Sequence, residues 1–569
     1  PDTQARLTAL FALSRIYEKI TKALDDAERV LRSAVECDPR GPRAIRALLH
    51  RLASKQTEPR TGSAPLPDHR EEIADLLQRL ADVERDRVTK AGVLLQLAEV
   101  RQELGHLGPA ERALVEAVAH APENGVALTR LGRFFRADPT SHARALTQVI
   151  GRGRELGASD ARWFALLGHI EIEKLGRVRD GVAHLRQAIH MDAKLFESRF
   201  ELGSALARMG SNDEASRVLL DMVSPDPRPV LAIADPASAL DLLERTLNAE
   251  RRPEEAIVVS ELRAIAGDLD DGRQAWLRAR RLSPLETHHA PFDRGTLLAH
   301  VVPRVVSHPL LDVAHAVFGM EAKILRADLT DLGISTRDRV GRGHPVRVLL
   351  DRIARAAQVS DVELVISPSV NRTRVLVQDE PWIVMPRKLT ELPEPTQLAT
   401  LARAVAKIAL SVPWLEELPP PHIEAYLVAC ARQVVPHYGA EDVDVLSQRL
   451  VLQYEPTVAK VLSRKQRKNL EELAPRLATP EARPIPIDTL TGGLAQGELR
   501  IAYLLTGDLL ATIDELRGLD ANFLKQTDTP GRAALASVLT HGYAGDVCRF
   551  ALTTEATALR RRVGATWAG

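Results

Sequence analysis

The sequence predicts a mainly α fold: a helical-repeat solenoid followed by a smaller α+β domain in which about three short strands pack on helices. Three observations lead to this prediction. Aromatic residues make up only 4% of the 569 residues, while alanine and leucine dominate, and such a composition favours stacked helices over a sandwich or barrel. The first half repeats one pattern of large and small residues. The second half contains three short β-rich runs followed by an apolar helix.

Changes in composition and periodicity predict where the domains begin and end. The residues between the first repeat and the rest are rich in proline, serine and threonine, and the repeat pattern fades after residue 284. The predicted divisions are a first helical repeat (1–53), a loop and connecting helix (54–82), a helical repeat array (83–284), a linker (285–310), an α+β domain (311–520) and C-terminal helices (521–569).

Several stretches of the first half place large residues, small residues and a proline at matching intervals. The clearest copies are 94–122, with Leu97, Ala98, Ala110, Leu114, Ala117 and Pro122, and 200–227, with Leu202, Gly203, Leu206, Ala215, Leu219 and Pro227. Residues 10–39 and 164–189 repeat the scheme. Small residues let two antiparallel helices approach closely, and proline ends the second helix. The pattern resembles the tetratricopeptide repeat, a helix–turn–helix unit that must stack on its neighbours to bury its apolar face.

Stacked repeats form a curved surface that is lined by the first helix of each pair. The resemblance places six residues on this concave face and implies protein or peptide partners there: Arg133, Arg136, His169, Glu173, Ser204 and Arg208. For each of them a solvated helix face is the alternative interpretation. One subclass of these repeats clamps a C-terminal carboxylate with Asn and Lys. The matching positions here are Gln96, Arg130, Leu166 and Glu201, so this clamp is not predicted.

The second half reads as a mixture of short strands and apolar helices. Strands are predicted at 363–368, 374–378 and 381–386, and helices at 346–357, 396–410, 422–435, 499–519 and 532–544.

This order resembles the gluzincin metallopeptidases related to the CAAX prenyl proteases, across about residues 310–520. Asn371 matches an Asn that precedes the zinc helix in that family. The family's two histidines fall at Ala404 and Ile408, its general-base glutamate at Val405, and its third ligand near Ala495, with Glu498 the nearest carboxylate. Zinc needs N, O or S donors, and no H-E-x-x-H motif occurs in the chain. We therefore predict a degenerate peptidase-like domain with no catalytic residue, no metal site and no cofactor.

Other features of the sequence limit the possible functions. Lys plus Arg and Asp plus Glu both number 76, so no global charge favours nucleic acid. The three cysteines have neither disulfide-framework nor zinc-finger spacing, which favours free thiols and a cytoplasmic location unless a leader preceded Pro1. No apolar run is long enough to span a bilayer. His288 and His289 are interpreted as loop residues. The basic run 463–469 and the arginines at 560–562 are interpreted as solvated, or as able to contact an acidic partner.

The leading hypothesis is a non-catalytic scaffold for protein–protein interactions, with membership of a larger assembly left open. The alternative is a divergent zinc-dependent hydrolase whose ligands lie outside the usual motif. A third reading is nucleic-acid binding through local arginine patches.

Overall fold

The computed structural model describes residues 3–57, 68–279, 292–325, 329–378 and 380–564. The chain forms two compact units, Pro1–Ser211 and Asn212–Gly569, here called unit 1 and unit 2. The six segments proposed from the sequence stay a prediction. Residues 58–67 of the predicted loop, and 285–291 of the predicted linker with both adjacent histidines, lie outside the described residues.

Unit 1 consists of consecutive helices. They are α1 (Thr3–Ile16), α2 (Leu24–Cys37), α3 (Pro42–Thr57), α4 (Arg70–Val83), α5 (Arg87–Glu103), α6 (Leu107–His120), α7 (Gly125–Phe134), α8 (Pro139–Glu155), α9 (Ala161–Glu173), α10 (Val178–Met191) and α11 (Phe196–Arg208).

Most consecutive helices of unit 1 pack on each other, as a repeat array requires, and α8 packs on α6 and α9. Apolar side chains from Leu7 to Ala188 form one continuous core along these helices. Polar N-caps begin several of them; the side chain of Asp86, for example, accepts a hydrogen bond from the Thr89 amide and starts α5. Tight turns separate the paired helices, and Gly105 between α5 and α6 has φ +77°, a left-handed conformation that favours glycine.

Close helix contacts depend on glycine within the pairs. At Gly168 of α9, an added Cβ would lie 2.9 Å from the carbonyl oxygen of Gly181 in α10. At Gly181, an added Cβ would lie 2.5 Å from Ile172 Cγ1. The repeat pattern therefore predicted correctly that small residues stand where two helices touch.

Two details of the N-terminal repeat differ from the sequence prediction. Residues 54–57, placed in the loop, continue α3 as helix. Leu13 stands at a large-residue position of the repeat pattern, yet it is 37% exposed.

Unit 2 contains a larger set of helices. They are α12 (Asn212–Leu220), α13 (Arg228–Ala232), α14 (Pro236–Ala249), α15 (Pro253–Ala266), α16 (Asp271–Ala279), α17 (Arg294–His300), α18 (Pro309–Ala316), α19 (Glu321–Leu325), α20 (Pro345–Ala356), α21 (Glu394–Leu410), α22 (Pro420–Arg432), α23 (Val445–Val461), α24 (Arg464–Leu477), α25 (Ile487–Thr506), α26 (Leu509–Leu519), α27 (Ala521–Thr527), α28 (Arg532–Thr540), α29 (Ala544–Ala551) and α30 (Thr554–Arg562).

A small sheet lies between α20 and α21 in the chain. Its strands are β1 (Glu363–Ser367), β2 (Arg374–Val377) and β3 (Pro381–Pro386), in the spatial order β1-β3-β2. β3 pairs in parallel with β1 and antiparallel with β2. On the other side of β1, Arg339 forms an isolated antiparallel bridge with Val365. Since α21 packs on β2, α25 and α26, this helix connects the sheet to the helical core.

The fold class is confirmed: the chain is mainly α, with consecutive helix pairs and a three-stranded sheet in the second half. The strand predictions agree with the structure to within one residue. The helix predicted at 499–519 is in fact two, because Gly507 ends α25 with φ +65° and Asp508 caps α26. The three cysteines are free; Cys430 and Cys548 are buried and Cys37 is half-buried.

Candidate functional site

The concave-face residues predicted in α9 and α11 are joined by ion pairs. The Nδ1 atom of His169 lies 2.8 Å from Glu201 Oε1, and Arg208 Nη2 lies 2.6 Å from Glu173 Oε1. The hydrogen bond to Glu201 raises the pKa of His169 above its usual value. Ser204 is half-buried in the same helix as Arg208. Because Glu201 and Glu173 already pair with His169 and Arg208, these side chains have less charge available for a peptide.

The two remaining predicted residues lie elsewhere in unit 1. Arg133 is exposed in the last turn of α7. Arg136 follows the end of that helix, which is Phe134, so the two arginines do not share a helix face as their spacing suggested.

Arg133 lines a groove in unit 1 of about 320 Å³, here called the repeat groove. Its lining residues come from α5, α6 and α7: Leu95, Ala98, Glu99, Gln102, Leu114, Arg130, Arg133 and Phe134. Arg130 Nη1 pairs with Glu99 Oε2 at 3.1 Å. The guanidinium of Arg133, in contrast, makes no ion pair within the part of the chain that the structure describes. The groove therefore combines apolar side chains with one uncompensated positive charge.

A second candidate site in unit 2 centres on a buried group of charges, here called the buried charge cluster: Thr400, Arg403, Lys407, Glu416, Glu498 and Glu515. Arg403 on α21 is the hub, because its guanidinium contacts three carboxylates. Its Nε lies 3.2 Å from Glu498 Oε2 on α25, and its Nη1 lies 3.1 Å from Glu515 Oε1 on α26.

The remaining contacts of the cluster involve Glu416, which follows α21, and Thr400. Arg403 Nη2 donates to Glu416 Oε1, and Lys407 Nζ lies 2.8 Å from Glu416 Oε2. Thr400 Oγ1 donates to Glu515 Oε2 at 2.6 Å. Residues 400, 403 and 407 recur every three to four positions, so one face of α21 carries all three polar groups.

Burial governs the charge state of this cluster. The side chains of Arg403, Lys407 and Glu498 are 8%, 6% and 0% exposed. Burial lowers the pKa of Lys407 to about 8, and burial raises the pKa of Glu498, opposed by the nearby cations. Two basic groups thus face three carboxyl groups, which leaves no excess positive charge.

Ala404, Val405 and Ile408, which the sequence resemblance aligned with a zinc motif, are buried and apolar. The basic side chains that face Glu498 belong to their neighbours Arg403 and Lys407.

Arg403 and Lys407 are cations and cannot act as zinc ligands. Among the described residues, no group of three or more His, Cys, Asp or Glu side chains is placed to hold a metal ion. The sequence contained a signal for the cluster: two basic residues four apart in an otherwise apolar helix.

The arginines that were interpreted as solvated near the C-terminus behave differently from one another. Arg560 is 1% exposed and lies 2.9 Å from Glu254 Oε2 on α15. It also donates to the hydroxyl of Tyr503 at 3.3 Å. Arg561 and Arg562 are exposed. Arg560 is therefore a buried structural cation and not part of an accessible basic patch.

Comparisons with known proteins found structural neighbours but no sequence relatives. No family model matches the chain, and no curated protein matches it. Among solved structures, MamA protein is 15% identical over 34% of this chain and 96% of its own, with a TM-score of 0.24. The TPR2AB domain of yeast Sti1, in its complex with pHSP90, is 13% identical over 46% of this chain and 98% of its own, with a TM-score of 0.17.

A third structure, Naa15/Naa10 bound to HypK-THB, is 13% identical over 94% of this chain and 68% of the matched chain, with a TM-score of 0.26. All three scores are below 0.5, so no residue role or partner is transferred from these proteins. Within the described residues, none of the helices has the length and apolar character needed to cross a bilayer.

Proposed function

We propose that the chain is a non-catalytic scaffold for protein–protein interactions, and that its repeat groove binds a peptide segment in which an acidic residue adjoins apolar side chains. The single observation that carries this proposal is Arg133, whose unpaired guanidinium stands beside Leu95 and Phe134 in the groove. A carboxylate on the peptide would pair with Arg133, and apolar side chains would bury against the two hydrophobic residues.

We also propose that unit 2 carries a degenerate peptidase-like domain. Its support is the sequence of elements β1, β2, β3 and α21, with α25 packed on α21. Ala404 and Ile408, which the resemblance aligns with the family's two histidines, have apolar side chains that can neither bind a metal nor activate a water molecule. The domain would then act through its surfaces and not through a reaction.

The proposed function is tested by peptide binding to the full chain. Fluorescein-labelled peptides that combine Asp or Glu with Leu or Phe are titrated and followed by anisotropy. We expect Arg133→Glu to weaken binding of the best peptide about five- to tenfold, because the peptide's carboxylate loses its cationic partner. A tenfold loss of affinity corresponds to 1.4 kcal/mol. Arg154→Glu is the matched control, because Arg154 is an exposed arginine of α8 outside the groove. Adding Arg136→Glu tests whether that predicted residue contributes.

Equal losses in the Arg133 and Arg154 variants would reject the repeat groove as the binding site. The hydrolase alternative is separated by elemental analysis of the same preparation. About one zinc per chain, together with a hydrolysis that chelation abolishes, would replace the scaffold proposal with a metal enzyme.

A further inference from the structure

A second cleft lies in unit 2 beside the buried charge cluster, with a volume of about 320 Å³. Four buried side chains from α22, α25, α26 and the segment after α21 form an apolar floor: Leu415, Ile423, Leu499 and Leu516. This volume is at the small end of ligand pockets and suits an aliphatic chain of about six carbons or one large apolar side chain.

Exposed acidic side chains line this cleft. Arg403 lies in its wall, but three carboxylates already bind that guanidinium. Two acidic residues of the cleft, Glu416 and Asp520, are exposed. The backbone amides of Phe523 and Asn522 donate to Asp520 and hold the pKa of its carboxyl below the usual range, so it is ionised at neutral pH.

The remaining polar side chains of the cleft belong to His541, Tyr543 and Thr491. The amides of Tyr543 and Ala544 lie 3.3 and 3.2 Å from His541 Nδ1, so this ring is held in place by the backbone that follows it. Tyr543 and Thr491 are uncharged members of the lining.

Glu416 is held in an uncommon backbone conformation at this place. Its φ is +69°, in the left-handed region that non-glycine residues rarely adopt. Its carboxylate bridges Arg403 and Lys407 while 31% of the side chain stays exposed. Backbone strain of this kind persists where the surroundings fix a residue, and it concentrates at binding sites.

We propose that this cleft binds a cationic group joined to an apolar body: a peptide segment in which Lys or Arg adjoins a leucine-like side chain. The apolar body covers Leu499 and Leu516, and the cation meets the exposed carboxylate of Asp520, beside the partly exposed side chain of Glu416. This inference goes beyond the proposed function, because it concerns a different unit and a ligand of opposite charge. It does not depend on the peptidase-like proposal.

The test uses three six-carbon probes, hexylamine, hexanol and hexanoate, titrated into the full chain by calorimetry. We expect hexylamine to bind most tightly and hexanoate least. Asp520→Asn should weaken hexylamine roughly two- to fivefold, the effect of one exposed charge pair, and leave hexanol unchanged. Asparagine keeps the N-cap of α27, so this variant should fold normally.

Asp528→Asn is the control, because Asp528 is an exposed acid after α27 that does not line the cleft. A second pair of ligands, acetyl-Leu-Lys-amide and acetyl-Leu-Glu-amide, tests the peptide form, and the lysine peptide should bind more tightly. The proposal is overturned if no probe binds, if hexanoate matches hexylamine, or if the Asp520 and Asp528 variants respond alike.

Discussion

Unit 1 and unit 2 handle charged side chains in different ways. In unit 1, ion pairs such as Arg208–Glu173 and Arg130–Glu99 keep both partners 39% or more exposed. In unit 2, the pairs Arg403–Glu498 and Arg560–Glu254 have both partners at 10% exposure or less. A repeat can be specified by the sizes of its apolar residues, because each helix meets only its neighbours. Unit 2 brings together helices that are distant in sequence, and its buried ions add a requirement for particular partners.

The largest expected effect comes from breaking the buried charge cluster. Arg403→Met keeps an unbranched apolar stem but leaves Glu498 and Glu515 buried without their cation. Removing one partner of a buried pair costs about 3–5 kcal/mol of unfolding free energy. Arg208→Met, which breaks an exposed pair in unit 1, should cost about 1 kcal/mol or less. Urea unfolding of both variants measures the difference, and equal losses would contradict the contrast between the units.

A smaller effect is expected from the size of a helix-contact residue in unit 1. Gly153 and Gly151 both lie in α8, and Ala is substituted at each in turn. A Cβ at Gly153 would lie 2.6 Å from Trp163 Cζ3, whereas a Cβ at Gly151 would meet nothing within 4 Å. Gly153→Ala should destabilise by about 1–3 kcal/mol through overpacking.

Gly151→Ala should instead stabilise by up to about 1 kcal/mol, because alanine favours helix. Thermal unfolding of the two variants gives the sign directly. The same sign for both would show that size fit does not limit this part of the array.

The smallest effect concerns pH and the exposed pair of His169 with Glu201. The pKa of His169 is raised above the 6.5 of the unfolded chain, so the folded state binds the proton more tightly. The pair's contribution is therefore fully present below pH 6.5 and is lost as pH rises through the higher folded pKa. His169→Gln should remove this pH dependence, worth a few tenths of a kcal/mol. Unfolding free energies of parent and variant on both sides of that range should converge at high pH, and a constant difference would contradict the assignment.

The local periodicity of apolar residues was sufficient to predict most of the helices and strands. β3 was predicted at 381–386, and the helix predicted at 396–410 begins only two residues earlier, at Glu394. Both depend on interactions between residues close in the chain. The split at Gly507 was missed because apolar periodicity continues across the turn into α26.

The candidate sites could be predicted only in part, because they depend on contacts between distant segments. Arg403 and Glu498 are 95 residues apart in sequence, so the place of Arg403 in an apolar helix marks it as unusual but does not identify its partner. Arg133 was predicted as a binding residue, and that prediction stays untested. Its groove neighbours Leu95 and Phe134 were not predicted, since they meet only when α5 and α7 pack beside α6.

The bridge between Arg339 and Val365 has a consequence for how other chains can attach. Exposed sheet edges invite strand addition and edge-to-edge aggregation, because their backbone groups lack partners. Here the Val340 amide donates to the carbonyl of Leu364 at 2.8 Å, so the segment at 339–340 occupies the outer edge of β1. A foreign strand could add at this edge only by displacing that segment. The chain thereby protects one edge of its small sheet from unwanted association, as a strand-capping segment does in other edge-exposed sheets.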